Sequence, residues 1–215
     1  MTFASRKEAG EKLGLELSAK KVLADVILGL PRGGVIVAAE IARILKRPLD
    51  VLVVRKIGHP HFREFAVGAL AEAETVVLDQ QVLARTHVEA DDLDDVITEE
   101  KGRLTDYVKK FEKGQRTPLS GKSVILADDG LATGATTEAA VRSARKQGAK
   151  KITVAVPVAS TNGFARLANV SDDVISLLVD PNFHAVGQYY SSFSQTTDEE
   201  VLRALEKAAA GTRRA

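Results

Sequence analysis

The chain predicts an α/β fold with a mainly parallel sheet flanked by helices. Three observations carry that expectation. Short apolar runs alternate with stretches of helical spacing along 215 residues. The runs Val26–Leu30 and Leu49–Val54 are apolar nearly throughout, as in strands buried on both faces. Several runs pass through glycine or small residues straight into a helical pattern, which is the β-loop-α unit of parallel sheets.

Taken in order, Ser5-Arg6-Lys7-Glu8 has capping-box spacing and opens an amphipathic helix. Val26–Leu30 reads as a strand that turns at Pro31-Arg32-Gly33-Gly34, and Val35–Leu45 as a helix. Leu49–Val54 reads as a second strand. Phe65–Leu70 and Thr75–Asp79 suit a hairpin around Ala71-Glu72-Ala73-Glu74. From Thr86 to Phe111 one helix is expected, with Leu93, Val96, Ile97, Leu104, Val108 and Phe111 on one face and Thr86–Glu89 as its cap. It is long for a crossover, so residues 86–113 read as a helical insertion. Gln115–Gly121 is a polar loop. The alternation then resumes: strand Ser123–Ala127, helix Thr136–Gln147 closed by Gly148, strand Ile152–Val158, short helix Asn162–Ala168 and strand Val174–Val179. An aromatic tail runs from Asp180 to Thr197, followed by a helix over Asp198–Ala209 and frayed residues from Gly211 to Ala215. No repeat or linker divides the chain, so residues 1–215 are read as one domain.

Composition removes several function classes. Lys and Arg number 30 and Asp and Glu 29, a net charge of +1, so no global field draws the protein to nucleic acid or an anionic membrane. There is no cysteine, which excludes disulfides, thiolate metal sites and a cysteine nucleophile. Met1–Gly14 is charged and lacks the apolar core of a signal peptide. No apolar run approaches the roughly 20 residues that span a bilayer. A cytoplasmic protein with small-molecule partners is expected.

The segment with the most chemistry is Val124-Ile125-Leu126-Ala127-Asp128-Asp129-Gly130-Leu131-Ala132-Thr133-Gly134-Ala135-Thr136. A buried-type strand ends in two carboxylates and passes through small residues and hydroxyls into a helix. Small side chains let backbone N–H groups approach a phosphate, and the helix N-terminus adds its field. The carboxylates suit sugar hydroxyls or a hard cation. A Walker A loop would place Lys where Ala135 stands, and neither glycine segment spells the dinucleotide fingerprint.

This segment closely resembles the 5-phosphoribosyl-1-pyrophosphate (PRPP) motif of the type I phosphoribosyltransferases. The resemblance spans roughly residues 20–200. It implies that Asp128 and Asp129 hold the ribose 2- and 3-hydroxyls, and that Ala132, Thr133, Gly134, Ala135 and Thr136 wrap the 5-phosphate. Pro31, Arg32, Gly33 and Gly34 resemble the family's pyrophosphate loop, although Pro31 departs from many relatives. Arg55 and Lys56 resemble the basic pair that approaches the same group, and Arg32 and Lys56 would neutralise the leaving charge beside the two acids. Magnesium is implied as cofactor, with Asp128 and Asp129 reaching it through ribose hydroxyls or water. The region after the last strand, residues 180–197, would form a small hood, with Val179, Asp180 and Phe183 as acceptor-binding candidates. His59 and His61 follow the basic pair Arg55-Lys56, where the family's mobile catalytic loop or hairpin would lie. The implied reaction moves the phosphoribosyl group from PRPP to a nitrogenous acceptor, a nucleobase by this resemblance, and releases pyrophosphate in a homodimeric enzyme. A PRPP- or nucleotide-sensing protein without turnover is the alternative. Segments Glu64–Ala69 and Phe193–Glu200 resemble a bacterial subgroup often left without a functional assignment.

Overall fold

Five parallel strands set the frame of the computed structural model, which describes residues 2–112 and 116–212. They are β1 (Val26–Gly29), β2 (Leu49–Val51), β6 (Ser123–Ala127), β7 (Lys151–Ser160) and β8 (Asp173–Asp180), in the order β2-β1-β6-β7-β8. A separate antiparallel sheet is built from β3 (Val54–Gly58), β4 (Ala66–Ala71) and β5 (Thr75–Leu78). The helices are α1 (Arg6–Ala19), α2 (Gly33–Leu45), α3 (Gln80–Thr86), α4 (Asp94–Phe111), α5 (Ala135–Lys146), α6 (Thr161–Ala168) and α7 (Asp198–Thr212).

The unbroken apolar strands are explained by two cores, one on each face. On β1 and β6, Val26, Leu28, Val124 and Leu126 turn towards Ala139, Ala140, Val141 and Ala144 of α5 and Leu167 of α6. Between them Ile27 and Ile125 turn the opposite way, onto Leu13 and Leu17 of α1 and Val37 and Ile41 of α2. Period-two side chains with both faces covered leave no polar position to mark the pleat.

Strand order fixes the place of function. From β1 the chain moves outward to β2, then returns to β6 on the other side of β1. The pair β1–β6 is therefore the topological switch point, and its carboxyl ends bound the crevice where open α/β sheets bind ligands. Gly29 and Ala127 are register partners there. The loop after β1 leads to α2 on one face and the loop after β6 to α5 on the other.

Two expected elements are corrected. Leu49–Val54 is not one strand: β2 ends at Val51, and β3 begins at Val54 in the second sheet. Side chains take over the backbone groups at the break. Glu72 accepts from Val53 N at 2.7 Å, and Arg116 donates to the carbonyl of Val51. A run of apolar residues is silent about such a change of partner. The helix expected over Thr86–Phe111 is three pieces. Thr86 ends α3, whose N-cap Asp79 accepts from Val82 N at 3.2 Å. His87 then takes φ +53°, a 3-10 turn covers Ala90–Leu93, and α4 follows. The turn sinks Val88 and Leu93 among Ile57, Val67, Leu70 and Leu83, beneath the second sheet. Position 113 of the expected insertion, Gln115 of the expected loop and positions 213–215 of the expected frayed end lie outside the described residues.

Candidate active site

The two acids stand at the tip of β6. Asp129 Oδ2 accepts from Arg6 Nε at 2.7 Å, and Asp128 Oδ1 accepts from the Asp129 backbone N–H at 2.8 Å. Burial, then the charge of Asp129, push the Asp128 carboxyl well above its ordinary value; the Asp129 N–H, Arg6 and Lys56 oppose this without cancelling it. The Tyr190 hydroxyl donates to the Asp129 carbonyl oxygen at 2.7 Å, and burial with the nearby Asp129 charge raises it above its ordinary value.

The loop Pro31-Arg32-Gly33-Gly34 packs directly on this tip. A Cβ at Gly33 would stand 2.0 Å from Asp129 Oδ2, and one at Gly34 would stand 2.7 Å from the Ala127 carbonyl oxygen. The glycines are required here by close approach. The peptide between Pro31 and Arg32 is cis. Arg32 occupies the N-cap position of α2 and lies 3.7 Å from Asp198, the first residue of α7.

Beyond the acids, Leu131 is held to β7: its N–H donates to Val158 O, and Ser160 N–H donates back to Leu131 O. The loop then opens. Ala132 and Thr133 are exposed, and Gly134 turns through φ +76° as the N-cap of α5, which no side chain caps. A helix entered this way presents its first amides to whatever occupies the crevice. Behind it, burial raises the Glu138 carboxyl, but hydrogen bonds from Arg166 at 2.6 Å and Arg142 at 2.8 Å outweigh burial and hold it below its ordinary value.

A cleft of about 680 Å³ adjoins the tip, lined by Pro31 and Arg32 of the first loop, Arg55 and Lys56 of β3, and Glu99, Glu100 and Arg103 of α4. Lys56 is exposed and close enough to Asp128 to favour its charged form. Arg55 is committed elsewhere, with Nε 2.8 Å from Glu100 and its guanidinium over the Tyr107 ring. His59 is buried, its ring tilted against Phe62 and edge-on to Phe65, and its Nδ1 accepts from the His61 backbone N–H.

The acceptor-side candidates divide. Val179 is 40% exposed at the end of β8. Asp180 accepts from Asn182 N and from the Tyr189 hydroxyl, both at 2.8 Å, and these bonds hold it below its ordinary value. Burial and Asp180 push Tyr189 up to about 12. Phe183 stacks on Tyr189 with centroids 5.3 Å apart. Asp180 and Phe183 thus brace the tail against itself.

Switch-point geometry therefore brings together Asp128, Asp129, Arg32, Gly33 and Gly34, sets Ala132–Thr136 at the mouth of α5, and brings Lys56 near. Sequence reasoning missed Arg6 and Tyr190. The Arg6–Asp129 contact joins residues 123 positions apart, and no local pattern marks it.

A family model for the phosphoribosyl transferase domain matches residues 6–193. A Mycobacterium tuberculosis protein (strains CDC 1551 and H37Rv), whose name assigns it provisionally to the phosphoribosyl transferases, is 44% identical over 207 residues, 96% of this chain and 47% of its own length. The amidophosphoribosyltransferase of Escherichia coli K12 is 25% identical over 155 residues, 71% of this chain and 24% of that enzyme. This chain thus spans about half the length, or less, of the curated relatives it matches. The crystal structure of TT1426 from Thermus thermophilus superimposes with a TM-score of 0.80 at 38% identity, over 96% of this chain and 99% of that one. With the domain matched over most of its length and the sheet, tip and loops in place, the chain belongs to the phosphoribosyl transferase domain family.

Proposed function

We propose that the protein transfers the 5-phosphoribosyl group of PRPP to a nitrogenous acceptor with release of pyrophosphate. The single observation that supports this most is the acid pair set at the switch point between two glycine-bearing loops. One loop leads to the N-terminus of α2, the other to that of α5. A phosphorylated pentose carrying a second phosphate group is a ligand that uses all three features at once.

Each part then has a task. Ala132–Thr136 offers backbone amides and two threonine hydroxyls to the 5-phosphate. Asp128 and Asp129 accept from the ribose hydroxyls. The Pro31–Gly34 amides, Arg32 and Lys56 meet charge that grows on the departing pyrophosphate, where preorganised cations act most strongly. Arg55 supports them from its pairing with Glu100. As the bond from C1 to pyrophosphate breaks, C1 gains oxocarbenium character, and the neighbouring carboxylates favour that positive centre. The C1–O electron pair leaves with pyrophosphate, the lone pair of the acceptor nitrogen forms the new bond to C1, and the proton that nitrogen carried passes to solvent. Val179 offers an exposed apolar edge to a flat acceptor, beside Asp180 and Phe183.

Magnesium fits this donor set. The adjacent carboxylates of Asp128 and Asp129 at the tip of β6 are hard oxygen donors that can reach such an ion through its waters or through ribose hydroxyls. Bound there, it would supply neutralisation of pyrophosphate charge.

Isotope exchange tests the reading. Labelled pyrophosphate should exchange into PRPP, or be released from it, with magnesium and one of a panel of bases. Asp128→Asn with Asp129→Asn should abolish PRPP binding and leave the far-UV circular dichroism unchanged; undiminished binding would reject the site. Tight PRPP binding with no turnover for any base would support the sensing alternative.

A further inference from the structure

Arg6 is the first residue of α1, yet its side chain belongs to the acid tip. Nε donates to Asp129 Oδ2 at 2.7 Å, and Nη1 donates to the Ser194 carbonyl at 2.8 Å. The guanidinium carbon lies 3.9 Å from the centroid of the Phe193 ring. A Cβ on Gly33 would meet Arg6 Nε at 2.6 Å, so the group is also pressed on the pyrophosphate-type loop. Its side chain is only 12% exposed. Phe193 in turn stacks on Tyr190 with centroids 5.1 Å apart, and Tyr190 donates to the Asp129 backbone.

We propose that Arg6 is a positioning residue that fixes the Asp129 carboxylate for a sugar hydroxyl, and that Phe193 and Ser194 are the seat that holds Arg6 in place. The inference rests on the function proposed above and adds how the carboxylate is aimed. A planar guanidinium can stack on a ring and donate in its own plane at the same time, which an ammonium cannot. With one lone pair of Oδ2 engaged by Arg6, the carboxylate is held in one orientation and Oδ1 keeps its acceptor sites for the ligand. The tail on the acceptor side is thereby tied to the grip on the pentose.

The test is calorimetric titration of the full chain with magnesium present, using ribose 5-phosphate and inorganic pyrophosphate as separate probes. Arg6→Met should weaken ribose 5-phosphate about 10-fold, the scale of one charge-assisted hydrogen bond, and leave pyrophosphate within about 2-fold. Arg6→Lys should lie between. Phe193→Ala does not touch Asp129; it should weaken ribose 5-phosphate about 3-fold, and add nothing in the Arg6→Met background. Equal losses for both probes, additive losses in the double variant, or an Arg6→Met protein that binds like the parent would overturn the positioning role. A parent that binds pyrophosphate but no ribose 5-phosphate would instead reject the underlying function, and this inference with it.

Discussion

At the scale of single residues, Asp128 is held where a carboxylate is least stable. It is desolvated and next to a second acid, and its folded-state value lies above the ordinary 3.8. The folded protein therefore binds that proton more tightly than the unfolded chain does. The associated stability is fully present below about 3.8 and is lost as pH rises through the raised value. Asp128→Asn removes the penalty. It should raise Tm at neutral pH by a few degrees, on the scale of about 2–4 °C per kcal/mol for a chain of this size, and the gain should shrink as pH falls. An unchanged or lower Tm at pH 7 in a thermal scan would count against the assignment. The trade of stability for function is expected at such sites. Both acids were legible in sequence because they adjoin one another at the end of an apolar run. Arg6 was not: its role comes from packing between chain segments that only the fold brings together, and in sequence it is simply the residue after a capping serine.

Among elements, the entry to α5 joins local sequence to site geometry most closely. Gly134 sits at φ +76°, and a Cβ there would meet Leu167 Cδ2 at 2.4 Å. Gly134→Ala should cost about 1–3 kcal/mol through left-handed strain and overpacking against α6. It should also weaken inorganic phosphate binding, because the loop shape changes. Urea unfolding with phosphate titration would measure both, and full affinity in a destabilised variant would separate the loop from the phosphate site. The strand–loop–helix around this glycine was readable from its small residues and apolar flank. The splitting of Leu49–Val54 was not, since the decisive partners are the Glu72 and Arg116 side chains. The break after Thr86 was hidden in the same way. His87 adopts a left-handed conformation so that Val88 can reach the core, while the helical periodicity on either side continues undisturbed.

At the scale of the molecule, the parallel sheet with flanking helices was legible in the alternation of strands and helices, but the strand order and the closure of the site were not. Phe3 is fully buried, donates from its N–H to Tyr189 O at 2.7 Å, and accepts at its carbonyl from Ser191 N at 2.8 Å. It forms a parallel bridge with Tyr190, so residues 3 and 4 lie as a strap along the tail. Phe3→Ala should cost about 3 kcal/mol, as for other buried phenylalanines, and should loosen ribose 5-phosphate binding by releasing Arg6 downstream. A chemical denaturation midpoint shift worth less than about 1 kcal/mol would show the strap to be superficial. The strap also constrains how the protein can be engineered. A reporter or affinity handle inserted immediately ahead of Phe3 would load its bridge to Tyr190, three residues from the guanidinium that meets Asp129.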